Sequence, residues 1–254
     1  MNLFNKVNYL ILPIHIGALS ILWLSDFSYL NLIYFLLGYI FISGLGAEVG
    51  LHRWASHRSV KLNAVAKPIV IYASLLTCQG HPCWWAAVHQ SIHHKYTDTE
   101  RDIHSPLNGK WNSFIGWLFK NETTSLNYKS TLHLTSEPLI VFSQKYYGLI
   151  IATSWIVFGF ISLDFLLWGI FLPTVIALHL EGLINTVCHS NVGYRNFETN
   201  DLSRNVPLLG YLVWGNGWHN NHHFNPGQFD FGKAVSGKNE FDPCILFLPF
   251  IRQH

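Results

Sequence analysis

Charge is what this chain has least of. Only 12% of its 254 residues are Asp, Glu, Lys or Arg, about half the share in a soluble domain. Half of the residues are hydrophobic. So little charge cannot keep a protein of this size in solution, and a membrane protein is the first expectation. The net charge of +2 leaves no strongly basic surface, which argues against a protein held to nucleic acid by phosphate contacts. Cysteine is scarce and unpatterned. Cys78, Cys83, Cys188 and Cys244 show no C-x-x-C spacing, which excludes a zinc ribbon and a disulfide framework; they read as small hydrophobes. Repeats, low-complexity tracts and linkers are absent as well, so residues 1–254 read as one domain. No cleavage site follows Met1–Asn8, and the first apolar run reads as a retained membrane segment.

Long apolar runs are present in two pairs, about Val7–Leu24 with Tyr29–Ala47, and Tyr147–Ile161 with Phe165–Ile184. Each is close to the ~17–25 residues that cross ~30 Å of hydrocarbon. Ser25–Ser28 and Ser162–Asp164 join the members of each pair, so each pair is expected to be a helical hairpin. The hairpin tips hold Asp26 and Asp164 and no cation. All 16 Lys and Arg lie in the N-terminus, the middle segment or the C-terminal segment. An even number of spans puts those three regions on one side, and the positive-inside rule makes that side cytoplasmic. The fold expected is an all-α membrane protein of four transmembrane helices, with residues 48–145 and 190–254 forming one cytoplasmic helical cap. A fifth apolar stretch, Pro68–Cys78, is short for a span and is flanked by histidines. It reads as a buried or interfacial helix.

Histidine is the residue in excess: 15 of them, nearly matching the 16 Lys and Arg. Neutral imidazole is the commonest protein ligand for metals. The histidines cluster as His52-Arg-Trp-Ala-Ser-His57, His89-Gln-Ser-Ile-His93-His94 and His219-Asn-Asn-His222-His223, with His189 just past the fourth run. Residues at i, i+3 and i+4 share a helix face, so His219, His222 and His223 can enter one volume. Nine imidazoles exceed the four ligands of a structural zinc, whereas two metals with four or five ligands each fit the count. Imidazole suits iron, zinc, copper and nickel alike, so ligand type leaves the metal open. His15 and His179 read as packed or hydrogen-bonded within spans, and His133 and His254 as surface residues.

These stretches resemble the membrane fatty acid desaturases, in particular the stearoyl-CoA, Δ9-type branch. The resemblance is carried by Gly50-Leu-His-Arg-Trp-Ala-Ser-His57, Gln79 through Trp84-Trp85 to His89, His93-His94-Lys-Tyr-Thr-Asp, Asp102-Ile-His104-Ser-Pro, Asn185-x-x-x-His189 and Trp214-Gly-Asn-Gly-Trp-His219-Asn-Asn-His222-His223. It implies a non-haem di-iron centre held by His52, His57, His89, His93, His94, His189, His219, His222 and His223, with Asn185 reaching a metal through water. Glu48, Asp98 and Asp102 are candidates to orient ligand rings. The implied reaction is O₂-dependent desaturation of a CoA-, carrier-protein- or lipid-linked acyl chain. No electron-carrying domain is evident, so a separate ferredoxin- or cytochrome b5-type donor with its reductase is implied. Other partners would be membrane lipid and, for a carrier-linked chain, acyl carrier protein. A bacterial cytoplasmic membrane is expected rather than the endoplasmic reticulum. Gln79 and Trp85 keep the spacing of the pair beside the bend of the family's acyl tunnel. Leu36 and Ile40, one turn apart on the second run, are expected to cap that tunnel.

Three departures from the family pattern stand out. The second box has three residues between His89 and His93 where two are usual. The landmarks on both sides keep register, so a π-bulge near Gln90–Ile92 is predicted to absorb the extra residue. Glu181 replaces a residue that is commonly Thr in the branch; an ionisable group within a span marks a functional position, here the tunnel wall. Ala87 stands where the branch has an Arg that meets the head group, leaving Lys145, Arg195 and Arg204 as candidate phosphate contacts. A hydroxylase or acetylenase would use the same residues. A membrane zinc hydrolase is the more distant alternative.

Overall fold

The computed structural model describes residues 5–120, 126–233 and 240–253. Their regular structure is helical. The only β pairings among them are isolated bridges, Leu62–Arg252, Tyr194–Asn205 and Asn205–Trp218. The helices used below are α1 (Asn5–Leu19), α2 (Tyr29–Ser56), α3 (Ala66–Leu76), α4 (Pro82–Val88, continued by His89–His93 and His94–Tyr96), α5 (Lys110–Phe114), α6 (Pro138–Ile161), α7 (Phe165–Val187), α8 (Pro207–Leu212) and α9 (His219–Phe224). Two of them, α2 and α7, are long and apolar enough to cross a membrane. The remaining apolar segments Tyr9–Leu24 and α3 are shorter.

Ser28 starts α2 by accepting a hydrogen bond from the Asn31 amide, the usual way a serine satisfies a free helix N–H. At ~1.5 Å per residue, the 28 residues of α2 outrun a ~30 Å hydrocarbon layer. The surplus carries the first histidine box. The two short turns lie together: Ser25 Oγ donates to Asp164 Oδ1 (2.5 Å) and accepts from Trp168 Nε1 (2.9 Å). Both apolar helix pairs therefore turn at the same end of the molecule. The outward faces of α1, α2 and α6 stay apolar and uncovered, with Leu12, Trp23, Ile33, Leu37, Leu149 and Phe160 all exposed. The apolar stretch around Pro68 forms α3, buried through Val70, Ala73, Ser74, Leu75 and Leu76, as expected of a helix packed inside the protein. It lies against α2 so closely that a Cβ on Gly50 would collide with Ser74 Oγ.

From Ile40 to Ser56, α2 is π-helical. The predicted extra residue in the second box is absorbed in the same way: His89–His93 is a π-turn in which the His94 amide bonds His89 O. An ordinary α-helix would have rotated His93 and His94 by ~100°; the wider turn keeps them on the ligand face.

Candidate metal centre

Nine imidazoles converge at the end of the bundle opposite the turns, in two nests. His52, His57, His89, His94 and His222 form the first, and His93, His189, His219 and His223 the second; within each, the ligand nitrogens lie within 4.8 Å of one another. The first box on α2 supplies only the first nest, the second on α4 and the third on α9 supply both, and His189 arrives in the second nest from the end of α7. The Nε2 atoms are the ones that meet. In the first nest His52 lies 3.1 Å from His222, His222 3.1 Å from His94, His94 3.0 Å from His89, and His89 2.9 Å from His57. In the second, His219 lies 2.9 Å from His189 and 3.1 Å from His223.

The outer nitrogens explain why these contacts require a cation. His52 Nδ1 faces Glu48 Oε2 at 3.1 Å, His93 Nδ1 faces Asp102 Oδ2 at 3.1 Å, His189 Nδ1 faces Asp98 Oδ2 at 2.9 Å, and His223 Nδ1 faces Asp201 Oδ2 at 2.9 Å. His219 Nδ1 faces the Asn216 carbonyl at 3.1 Å. An acceptor beside Nδ1 places the ring proton there and the lone pair on Nε2. Throughout the four-histidine nest the inner nitrogens therefore present lone pairs to one another and cannot hydrogen-bond among themselves. A metal ion resolves the conflict there, and the five rings that meet in the first nest offer an ion an equivalent set of donors. Separations near 3 Å are those of adjacent donors about 2.1 Å from one ion. The donor set thus fits two metals, and the carboxylate behind an imidazole is the arrangement that fixes and strengthens a metal-binding histidine.

Electrostatics agree with neutral ligands except at His93, where burial is overcome by the Asp102 carboxylate, which holds the ring above the usual histidine range. Burial, helped by the neighbouring rings, pushes His57 down to about 3 and holds His89, His94, His219 and His222 well below the usual histidine range. Burial also lowers His223 to about 4, against the opposing pull of Asp201. Burial would raise Asp102, but the His93 ring overrides it and brings the carboxyl to about 2. The lowered imidazoles are neutral near pH 7 and ready to accept a metal.

A clamp outside the nests holds the first box in place. Buried Arg53 donates to Glu48 Oε2 (2.7 Å), Asp242 Oδ2 (2.8 Å) and the Phe229 carbonyl (2.9 Å), and lies 4.0 Å over the Phe231 ring. Gln90 and Asn216 also meet ligand rings, the former at 3.0 Å from His57 Nδ1. The sequence reading missed Arg53, Gln90, Asn216 and Asp201. The adjacency of Arg53 to His52 and of Gln90 to His89 was the available signal for two of them; Asp201 sits in a loop with no periodicity to mark it.

A narrow cavity opens beneath the second nest. Gln79, Trp85, Glu181 and Asn185 line it together with His89, His93 and His219, and Phe114, Trp117, Leu118 and Leu178 form its apolar wall. Trp85 stacks on His89, centroids 4.6 Å apart. His104 lines it too and rests edge-on against Trp117. Glu48, Asp98 and Asp102 stand where orienting acids were expected.

Other expectations are corrected. Leu36 and Ile40 are 49% and 42% exposed and do not line this cavity. Their shared face points away from the bundle. Arg195 is not free for a phosphate: its guanidinium bonds the carbonyls of Thr199 and Asp201 and Thr199 Oγ1 at 2.8–2.9 Å, bracing the loop that presents Asp201. Arg204 contacts the Gly193 carbonyl at 3.3 Å. Lys145 lines a surface groove with Tyr9, Tyr146 and Tyr147. His133 is half-buried, with Nε2 3.0 Å from the Ala55 carbonyl, rather than on the surface. His15 and His179 pair at 3.0 Å as packed residues. His254 lies outside the described residues.

The profile of the fatty acid desaturases matches residues 27–228, a segment that contains all nine clustered histidines. The chain belongs to the fatty acid desaturase family. It is similar to the sn-1 stearoyl-lipid 9-desaturase of Anabaena variabilis, 36% identical over 222 residues that span 86% of this chain and 81% of that protein. It is also similar to the acyl-CoA C20 Delta5-desaturase of Anemone leveillei, 35% identical over 217 residues, or 82% of this chain and 68% of the relative. Delta-9 acyl-lipid desaturase 1 of Arabidopsis thaliana is 38% identical over 190 residues, 72% of this chain and 60% of the relative. The desaturase described here is accordingly an oxidoreductase acting on a fatty acyl chain.

Proposed function

We propose that this desaturase is a di-iron, O₂-dependent enzyme that converts a –CH₂–CH₂– unit of a lipid-linked acyl chain into –CH=CH–. The balance is one O₂, two electrons and two protons in, and two waters out; the electrons come from a separate ferredoxin- or cytochrome b5-type donor. The observation that carries the reading is the double nest of Nε2 lone pairs above an apolar cavity. His52, His57, His89, His94 and His222 would hold one iron, and His93, His189, His219 and His223 the other, with Asn185 beside them in the cavity wall. When bound, iron would supply the O₂ chemistry that unactivated C–H bonds require, a task beyond any side chain.

The chain's own residues do the positioning. Glu48, Asp98, Asp102 and Asp201 fix the ligand tautomers. Trp85, packed on His89, and Gln79 hold the acyl chain where its carbons pass under the nests. Phe114, Trp117 and Leu178 exclude water from the reacting region. We place four spans in the membrane, about 7–24, 29–47, 147–161 and 165–184, with residues 48–145 and 190–254 on the cytoplasmic face. The engagement of Arg195 within its own loop leaves few cations for a CoA head group, which favours a lipid-linked substrate.

Expression in a desaturase-deficient host, with fatty-acid profiling of the lipid and acyl-CoA fractions, tests the proposal. A new monounsaturated species in the lipid fraction, lost in His222→Ala, is the expected result. A hydroxylated product, or purified protein carrying zinc and no iron, would overturn it.

A further inference from the structure

One polar side chain touches everything that matters in this site. Asn216 Nδ2 donates to Glu48 Oε1 (2.8 Å) and to Glu181 Oε2 (3.1 Å). On its other side, His219 Nδ1 lies 3.1 Å from the Asn216 backbone carbonyl and 3.2 Å from its Oδ1. Glu48 in turn meets His52. His52 belongs to the five-histidine nest and His219 to the four-histidine nest. The amide therefore bridges the rear of both nests, and the third group it holds, Glu181, lines the acyl cavity. The other carboxyl oxygen of Glu181, Oε1, is buried and has no hydrogen-bond partner, while the side chain meets the Glu48 carboxyl as well as Asn216. Such a residue is costly to retain in an apolar wall.

We propose that Glu181 is a positioning residue that couples occupancy of the acyl cavity to both metal nests through Asn216. The inference rests on the di-iron reading above. An acyl chain in the cavity lies against Glu181. Displacement of its carboxyl pulls on Asn216 Nδ2, and Asn216 answers at His219 on one side and at Glu48 and His52 on the other. One side chain in the cavity wall thus sets the orientation of a ligand in each nest. Glu48 cannot perform this alone, because it does not line the cavity; Glu181 and Asn216 do, and Asn216 is the group that reaches both nests.

The test uses purified full-length protein, reconstituted with ferrous iron in detergent or nanodiscs. Iron per chain, iron affinity against a competing chelator and the Mössbauer spectrum are measured with and without a saturated acyl-lipid. Wild-type protein is expected to bind two irons and to change its spectrum when the acyl-lipid is added. Glu181→Leu is expected to lose that response and to bind iron about 10–100-fold more weakly, the range for residues that orient metal ligands. Glu181→Gln keeps an acceptor for Asn216 and is expected to retain both irons and the response. Glu181→Leu with wild-type affinity and an undiminished spectral change would overturn the proposal, as would Glu181→Gln failing together with Glu181→Leu. Wild-type protein binding fewer than two irons would instead refute the di-iron reading itself, so the two failures are distinguishable.

Discussion

The two histidine nests differ in how they are built. The five-histidine nest has more rings but less behind them: one carboxylate, Glu48, and one amide, Gln90, while the buried Nδ1 of His222 has no partner. The four-histidine nest has fewer rings, and three of the four are backed by carboxylates, Asp102, Asp98 and Asp201. Both nests border the cavity, the five-histidine nest through His89 and the four-histidine nest through His93 and His219. Ligand number and outer-sphere charge trade against each other. The nest with fewer donors compensates by making each a stronger base.

Removing a ligand should break this comparison most visibly. His219→Ala and His222→Ala are both expected to lower desaturation at least about 100-fold, because the proposed di-iron chemistry needs both nests occupied. Their iron contents should differ. His222→Ala leaves four rings in its nest and is expected to retain more iron after chelator challenge than His219→Ala, which leaves three. Equal losses would show that the fifth ring adds no hold on the metal in its nest.

The carboxylates give the next largest effect. Asp201→Asn is expected to weaken iron in the four-histidine nest by about 10–100-fold, read as one slow and one fast phase of chelation. Glu48→Gln should affect the five-histidine nest instead, and more mildly, since the amide oxygen still accepts from His52.

Acid sharpens the contrast further. His57 and His223, at about 3 and about 4 in the folded protein, titrate near 6.5 when unfolded. The unfolded chain thus binds more protons below about 6.5, and the metal-free protein should lose stability steadily as pH falls from 7 to 5. Asp102 has the same sign and a lower window. Its carboxyl falls from an ordinary 3.8 to about 2, so its contribution is complete at pH 5 and is lost only toward pH 2. A thermal midpoint that is flat between pH 7 and 5 would contradict this assignment of neutral rings. Bound iron should steepen the fall, because protons compete for the same nitrogens.

The smallest effects belong to the wall of the bundle. Leu36→Ala and Ile40→Ala, on an exposed face, should leave the chain length of the product unchanged. Leu178→Phe, inside the cavity, should shift products toward shorter chains, measured by gas chromatography of the extracted lipid.

The same contrast explains what could be read from sequence. The nine rings were legible because each cluster is local, and helix periodicity brings its members to one face. The turn that absorbs the extra residue before His93 was legible because landmarks on both sides kept register. Periodicity also grouped Leu36 with Ile40, yet it says which residues share a face and nothing about where that face points. Arg195 looked available because a charge in a sequence carries no record of the carbonyls that will consume it. Asp201 was missed because its partner, His223, is 22 residues away across an irregular loop. The outer sphere is assembled by long-range loops, and local pattern does not encode it.

The π-turn at His89–His93 also bears on how such sites change over time. A single inserted codon in a helix ordinarily rotates everything beyond it, and a metal site downstream would be lost in one step. Here one widened turn confines the disturbance to five residues. Both ends of the helix keep their partners, with Trp85 still on His89 and Asp102 still under His93. Removing one residue from Gln90–Ile92 should therefore restore an ordinary helix and leave the ligands in place. Length variants of this box are interchangeable solutions to one geometry, and a search that fixes the spacing between its histidines will pass over functional members.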